Sequence, residues 1–277
     1  MSELNTFKAL LVEETDNKQF TLNIVNRSVS DLPENDLLVN VHYSSLNYKD
    51  ALSASGNKRV SAHFPHTPGI DAAGVVVRDK SGTFSPGDEV VMFGYDLGMN
   101  TPGGLGQMIS IPANWAVKRP DNLTLKEAMS YGTGGLTAAL CVQKLEKRGA
   151  RPEDGPVAVT GSTGGVGSIS IALLKQLGYS VVAFSGKPEQ TAHLKSIGAD
   201  EVLHRDVLNE VAGLPMGKER WAHGIDTLGG DYLSNLLKQI KSGGGVSACG
   251  LASSDSFSST VFPLSLIHIS EPTRRTP

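Results

Sequence analysis

Four glycines lie close together in the stretch 158–178, AVTGSTGGVGSISIALLKQLG, with the spacing Gly-x-x-Gly-Gly-x-Gly. An apolar run precedes them, and an apolar stripe at helical spacing follows. In a strand-turn-helix unit of this kind, the backbone can approach a pyrophosphate closely, and the helix N-terminus supplies free N–H groups. The spacing differs from Gly-x-Gly-x-x-Gly, so the alternative is a glycine-rich turn with a purely structural role.

The next apolar run, VVAFSGK at 181–187, ends in Ser185, Gly186 and Lys187. A site for NAD normally places an acid here to bond the ribose 2′-hydroxyl, and that acid would repel a 2′-phosphate. The Ser185 hydroxyl can instead donate to a phosphate oxygen, and Lys187 can supply a positive charge. The stretch therefore predicts NADPH as the cofactor. The alternative is that Lys187 is a solvated loop lysine before Pro188.

A third candidate stretch is SSLNYKDAL at 44–52, where a strand gives way to a short helical or turn segment. Tyr48 could donate a hydrogen bond or a proton to a carbonyl or enolate oxygen, and Asn47 could orient a nicotinamide amide or ribose. We predict a catalytic role for both. The alternative is that the Tyr48 ring packs against the domain while its hydroxyl is solvated.

The elements that must position these residues change in type along the chain. Up to residue 118, short β-rich runs alternate with Pro- and Gly-rich loops, which is typical of an all-β unit. After residue 123, strands alternate with helical segments, which favours βαβ units and a doubly wound parallel sheet. We predict one domain over 1–122 and a second over 123–263.

The composition excludes several classes of function. Of 277 residues, 39% are hydrophobic and 19% are charged, and the net charge of -3 gives no electrostatic basis for binding nucleic acid or an anionic membrane. Two cysteines, Cys141 and Cys249, are too few for a disulfide framework. The N-terminus lacks a basic signal region, and no apolar run is long enough to span a membrane. We expect a cytoplasmic protein.

Seven motifs over about residues 7–263 carry a resemblance to a known family: SSLNYKDAL, FPHTPGIDAAG, YGTGGLTAALC, EDGPVAVTGSTGGVG, VVAFSGK, IDTLGG and ACGLA. In this order they resemble the zinc-independent medium-chain dehydrogenase/reductases, most closely the acryloyl-CoA reductase group, whose members are also named quinone oxidoreductases. The resemblance implies an α/β chain with a GroES-like β-rich domain, a Rossmann domain, and NADPH in the cleft between them.

The same resemblance assigns the cofactor-binding residues: Tyr48 near the nicotinamide, Thr163, Gly164, Gly165 and Val166 at the pyrophosphate, Ser185, Gly186 and Lys187 at the 2′-phosphate, and Arg205 and Leu251 along the cofactor. The family commonly has Arg where Lys187 stands, so bidentate phosphate contact is weakened at this position.

Many relatives in this superfamily bind zinc, which requires three protein ligands. This chain has Ile70-Asp71 where zinc-binding relatives have His-Glu, and no thiolate lies near His63 and His66 in sequence. We predict no metal. Asp71 is expected to be a buried structural carboxylate, bonded to backbone or to a basic side chain.

Three functions remain open from the sequence. The first is NADPH-dependent reduction of acryloyl-CoA to propionyl-CoA without a metal. The second is reduction of a quinone or alkenal by the same residues, and the third is NADPH binding without turnover. A CoA thioester would require basic residues for its phosphates, and Lys49, Lys58 and Arg59 are candidates, although they could equally form an ordinary solvated face. Relatives of this family are often dimers, so a homodimer is possible here.

The last stretch, 264–277, does not continue the Rossmann pattern. Residues 264–274, LSLIHISEPTR, match a translation of the end sequence of a transposon-based sequencing adapter. We therefore expect a C-terminally truncated chain with a non-native tail, in which His268 and Arg274 carry no function. The alternative is a genuine divergent tail.

Overall fold

The computed structural model describes residues 6–267. The expected tail, 264–277, lies outside the described residues from position 268 onward. The chain divides into two compact units between Thr133 and Gly134, whereas the sequence pattern placed the boundary after residue 122. The division falls within a long helix, next to Gly132, whose backbone is non-helical.

The first unit is built from antiparallel strands. Strands β1 and β2 form a two-stranded sheet, and β3 to β7 form a five-stranded sheet in the order β6-β3-β4-β5-β7. The strands are β1 (Thr6–Glu14), β2 (Phe20–Ser28), β3 (Leu37–Tyr43), β4 (Asp71–Asp79), β5 (Glu89–Phe93), β6 (Met108–Ile111) and β7 (Val117–Lys118). The buried core of the larger sheet includes Leu37, Val39, Ala72, Val90, Met92 and Ile109. The predicted β-rich domain is confirmed, although this unit also contains a short helix.

The register of β3 against β4 brings the candidate residues of this unit together. Tyr43, at the end of β3, pairs with Ala73 near the start of β4. The chain then enters helix α1 (Tyr48–Ala54). The end of β3, the start of α1 and the first residue of β4, Asp71, therefore occupy the same corner of the sheet.

Helix α2 (Leu125–Lys147) begins at a capping box, in which the Thr124 N–H donates to Glu127 Oε2 at 2.8 Å and the Glu127 N–H donates to Thr124 Oγ1 at 3.1 Å. It is kinked at Gly132, where φ is +51°. Only glycine adopts such a φ readily, so the kink requires this residue.

The second unit contains a five-stranded parallel sheet in the order β10-β9-β8-β11-β12. Its strands are β8 (Val157–Val159), β9 (Val181–Ser185), β10 (Glu201–His204), β11 (Trp221–Asp226) and β12 (Ile240–Ala248). The remaining helices are α3 (Gly165–Gln176), α4 (Thr191–Ser196), α5 (Gly230–Leu237) and α6 (Val261–Ile267). Short 3-10 helices occur in both units. They cover Val29–Asp31 and Ala113–Trp115 in the first unit, and Pro152–Asp154, Pro188–Gln190 and Arg205–Val211 in the second.

Both faces of this sheet are buried. Val157 and Val159 of β8 pack into one apolar cluster, whereas Ala158 between them packs into another. Alternate residues of one strand thus enter cores on opposite faces, as in a doubly wound sheet. The predicted Rossmann-like architecture is confirmed. None of the helices within residues 6–267 is long and apolar enough to cross a membrane.

Candidate active site

The glycine loop follows β8 and is held on two sides. Gly161 has φ +58°, and a Cβ there would collide with Thr227 Oγ1. The Ser162 N–H donates to the Phe184 carbonyl at the end of β9, at 3.3 Å. A Cβ on Gly167 would collide with the Gly161 carbonyl. Glycine is therefore required at these two positions for the turn to pack.

Gly164 and Gly165 have a different role, because they face open space. No atom lies within 4 Å of the position of a Cβ on Gly165, and a Cβ on Gly164 would meet only the Gly161 carbonyl oxygen, at 3.3 Å. The first-turn N–H groups of α3, which begins here, have no acceptor within the helix. The loop therefore presents backbone donors beside open space, which fits a dinucleotide pyrophosphate.

The turn after β9 carries the residues predicted for a 2′-phosphate. Ser185 is buried, and its Oγ accepts the Lys187 N–H at 3.0 Å, which leaves the hydroxyl hydrogen as a donor. Lys187 is exposed. The Arg205 side chain lies against Gly186, because a Cβ on Gly186 would be 2.9 Å from Arg205 Nε. Two cations thus flank this turn, and the chain has no acid between Ser185 and Pro188.

Arg205 is held in place by an aromatic ring. Its guanidinium carbon lies 5.4 Å from the centre of the Tyr232 ring. The Tyr232 hydroxyl in turn donates to Asp206 Oδ1 at 3.1 Å. A guanidinium stacked in this way is preorganised for a planar, bidentate contact with phosphate.

The opposite wall of the loop is formed by the ends of β11 and β12. The Thr160 hydroxyl donates to Asp226 Oδ1 at 2.6 Å, and the Gly229 N–H donates to Asp226 Oδ2 at 2.8 Å. Burial raises the pKa of Asp226, and these two hydrogen bonds oppose the rise. Leu251 lies in the next loop, where it is exposed. The candidate cofactor residues of the second unit thus lie after the carboxyl ends of β8, β9, β10 and β12, the edge at which ligands bind in open α/β sheets.

In the first unit, Tyr48 is the first residue of α1 and its side chain is exposed, at 66%. The Asn47 N–H donates to Asp50 Oδ2 at 2.7 Å, and the Asn47 side-chain amide donates to Asp71 Oδ2 at 2.9 Å. Burial raises the pKa of Asp50, and the nearby Asp71 carboxylate adds to the rise. The carboxylates of Asp50 and Asp71 therefore hold Asn47, the residue before Tyr48, in position.

Asp71 is fully buried and is the centre of a polar cluster. Besides Asn47, its carboxylate accepts from the Ser45 hydroxyl, from the Thr133 N–H at 2.8 Å and from the Thr133 hydroxyl at 2.5 Å. The expected hydrogen bond between Asp71 and the backbone is present, because the Thr133 N–H donates to its carboxylate. The hydrogen bonds found on this carboxylate come from amide and hydroxyl groups, not from the basic side chain that was the other expectation.

The remaining candidates of the first unit are solvent-facing or paired. Lys49 and Arg59 are exposed, and Lys58 forms an ion pair of 2.6 Å with Glu14. His63 is exposed. Within residues 6–267, no three His, Cys, Asp or Glu side chains come together in a group that could hold a metal ion.

Sequence reasoning did not single out Ser45, Thr133, Thr160 or Asp226. The signal for Asp226 was available, since an acid that ends an apolar strand, as in GID at 224–226, lies at the ligand-binding edge of a parallel sheet. No comparable signal existed for Thr133, which is 62 residues away from Asp71.

Two family models match the chain. One, described as an alcohol dehydrogenase GroES-like domain, covers residues 33–121, and the other, described as a zinc-binding dehydrogenase, covers residues 165–274. Together they span the two units, in the order in which the sequence motifs occur.

Curated relatives match over most of the chain. The acrylyl-CoA reductase AcuI of Ruegeria pomeroyi is 41% identical over 261 residues, which cover 94% of this chain and 79% of that protein. YhfP of Bacillus subtilis, named as a candidate quinone oxidoreductase, is 41% identical over 264 residues, which cover 95% of this chain and 80% of that protein.

Solved structures agree with these matches. The YhdH protein of Escherichia coli K-12, crystallised with NADPH, has a TM-score of 0.89 at 44% identity, covering 92% of this chain and 78% of its own. Bacillus subtilis YhfP, crystallised with NAD, has a TM-score of 0.90 at 41% identity, covering 94% of this chain and 78% of its own.

Proposed function

Because the chain belongs to the medium-chain dehydrogenase/reductase family, we propose that it is an NADPH-dependent reductase of an activated carbon–carbon double bond, with acryloyl-CoA as its substrate. The observation that carries the proposal is the turn after β9, where Ser185, Lys187 and the stacked Arg205 stand in place of an acid. The similarity to an acrylyl-CoA reductase over 94% of the chain supports the thioester as substrate.

The second unit would hold the cofactor. The open backbone at Gly164 and Gly165 accommodates the pyrophosphate, while the Ser185 hydroxyl and the Arg205 guanidinium bind the 2′-phosphate. When bound, NADPH supplies a hydride for the β-carbon of the unsaturated thioester. Charge-assisted hydrogen bonds to the 2′-phosphate then favour NADPH over NADH.

The first unit would supply the group that stabilises charge on the substrate. As the double bond is reduced, negative charge develops on the thioester oxygen, and the Tyr48 hydroxyl donates a hydrogen bond to that oxygen. The bonds from Asn47 to Asp50 and Asp71 hold the start of α1 and so orient Tyr48. In this scheme Tyr48 is catalytic and Asn47 is a positioning residue.

The proposal is tested by following loss of the reduced-nicotinamide absorbance with acryloyl-CoA, and in parallel with a simple quinone, each with NADPH and with NADH. We expect rapid loss only with the thioester and NADPH. Turnover with the quinone alone would favour the activity for which YhfP is named. Binding of NADPH without turnover of either substrate would favour a non-catalytic protein.

Replacing Arg205 with Ala should weaken NADPH selectively. Loss of one charge-assisted hydrogen bond, worth about 1.5–3 kcal/mol, should raise the KM for NADPH about 10- to 100-fold and leave the KM for NADH unchanged. The matched control is Arg220→Ala, because the Arg220 guanidinium also stacks on an aromatic ring, 4.7 Å from the centre of Trp221. Equal effects on the two cofactors, or equal effects of the two variants, would contradict the assignment.

A further inference from the structure

The two cysteines of the chain meet in the second unit, outside the candidate active site. Cys141 lies in α2, and Cys249 directly follows β12. The two elements are joined where the Ser247 hydroxyl donates to the Cys141 carbonyl at 3.0 Å. The Cys249 thiol donates to the Asp226 carbonyl at 3.4 Å, and the two cysteine side chains lie close enough to shift each other's pKa. The two sulfurs are therefore neighbours although the residues are far apart in sequence.

The two cysteines differ in exposure but share one cavity. Cys141 is buried at 5% exposure and Cys249 is exposed, and both line the same cavity of about 840 Å³ between α2 and β12. The cavity is large enough to admit a small oxidant. Lys144 lines it one turn of α2 beyond Cys141.

We propose that Cys141 and Cys249 form a modification site, at which a hydroperoxide converts the two thiols into a reversible intramolecular disulfide. In the first step the Cys141 thiolate attacks the peroxide O–O bond, which gives Cys141 sulfenic acid and releases water or an alcohol once the leaving oxygen is protonated. In the second step the Cys249 sulfur attacks the sulfenic sulfur, the S–O bond breaks, and the hydroxyl leaves as water with the proton of the Cys249 thiol. Two electrons and two hydrogens leave the pair, and the peroxide accepts them.

The directions of the pKa shifts of the two thiols agree with this order of steps. Interaction with the Cys249 side chain lowers the pKa of Cys141, and the positive charge of Lys144 lowers it further. The same interaction and burial raise the pKa of Cys249. Cys141 is therefore the first nucleophile. Its conversion to a neutral sulfenic acid removes the negative charge that disfavours ionisation of Cys249.

The disulfide would act on the loop that follows β12. The Cys249 N–H donates to the Asp226 carbonyl at 2.9 Å, and the Ser253 N–H donates to the Leu228 carbonyl at 2.8 Å. A Cβ on Gly250 would collide with the Thr227 backbone. Movement of Cys249 toward α2 thus displaces one wall of the dinucleotide crevice. This step rests on the proposed function, and it predicts that the oxidised protein binds NADPH at least about fivefold more weakly.

The site itself is tested without NADPH. The whole chain is treated with hydrogen peroxide and its intact mass is measured, together with its free thiols. Because the chain contains 2 cysteines, an intramolecular disulfide can only be this pair. We expect a mass loss of about 2 Da, equal to two hydrogens, loss of both free thiols, a monomer under non-reducing conditions, and recovery with dithiothreitol. Retention of both thiols, disulfide-linked dimers, or a gain of oxygen on Cys249 alone would overturn the site.

Two controls distinguish a disulfide that depends on the folded structure from general oxidation of the thiols. In denaturing urea the same peroxide should give the intramolecular disulfide far more slowly, because the cysteines are no longer held together. The Cys249→Ser and Cys141→Ser variants should show no mass loss. The NADPH dissociation constant is then compared before and after oxidation, with Cys249→Ser treated in parallel. A disulfide that leaves the dissociation constant unchanged would overturn the coupling to the crevice.

Discussion

Tyr48→Phe is expected to lower kcat for acryloyl-CoA by about 10²- to 10⁴-fold, the range for a positioned proton or hydrogen-bond donor, while the NADPH dissociation constant stays the same. The hydroxyl is the only group removed. Because the Tyr48 side chain is 66% exposed, its loss leaves no buried partner unsatisfied and no cavity in the core. A defect confined to kcat therefore reports stabilisation of charge on the substrate rather than a change in the fold.

The matched control for Tyr48 is Tyr43→Phe. Tyr43 is also exposed, at 43%, and lies at the end of β3, five residues before Tyr48. Its variant should retain full turnover and show the same thermal unfolding as Tyr48→Phe. If kcat of the Tyr48 variant falls less than about threefold, or if both tyrosine variants lose turnover alike, Tyr48 has no role as a donor.

Features set by neighbouring residues could be predicted from the sequence. The glycine loop and the helix that follows it depend on φ angles and apolar spacing within one short stretch, and both occur where they were predicted. The parallel sheet follows from the regular alternation of strands and helices. The turn at Ser185 is equally local, since its hydroxyl bonds the N–H two residues later.

Features set by distant residues could not be predicted. The family resemblance implied that Arg205 lies along the cofactor. It did not show that Arg205 rests on Gly186 and Tyr232, because this contact depends on how β9 and β10 pair. The contacts divide the chain after residue 133, whereas the sequence pattern predicts a boundary after residue 122. Glycines at 132, 134 and 135 interrupt the helical composition of α2, but the kink itself is visible only in the backbone.

The Asp71 cluster explains why that kink matters to the first unit. The Thr133 N–H, which follows the kink, is free to bond Asp71 because the helix is interrupted at Gly132. A Cβ on Gly132 would collide with Ser45 Oγ and would lie 2.7 Å from Asp71 Oδ2. One carboxylate thus connects the end of β3, the start of α1 and the first half of α2.

Replacing Asp71 with Ala should destabilise the first unit by about 3 kcal/mol. The fully buried carboxylate accepts from Ser45, Asn47 and Thr133, and each donor left without a partner costs about 1–3 kcal/mol, reduced here because the donors are only partly buried. The unfolding free energy can be read for this unit alone. Trp115 lies in the first unit and the other tryptophan, Trp221, in the second, so urea unfolding is followed by Trp115 fluorescence in a Trp221→Phe background.

Asp71→Asn is the matched control, because it can keep most of the network. Its amide oxygen replaces Oδ2 for three donors, and its N–H₂ can donate to Thr133 Oγ1 once that hydroxyl reverses its role. We expect a loss of about 1 kcal/mol from the weaker acceptor. The Asn variant should also keep the position of Asn47, and with it turnover. Equal destabilisation by Ala and Asn would show that charge rather than hydrogen-bond geometry holds this corner, and no destabilisation by either would show that the cluster contributes nothing to folding.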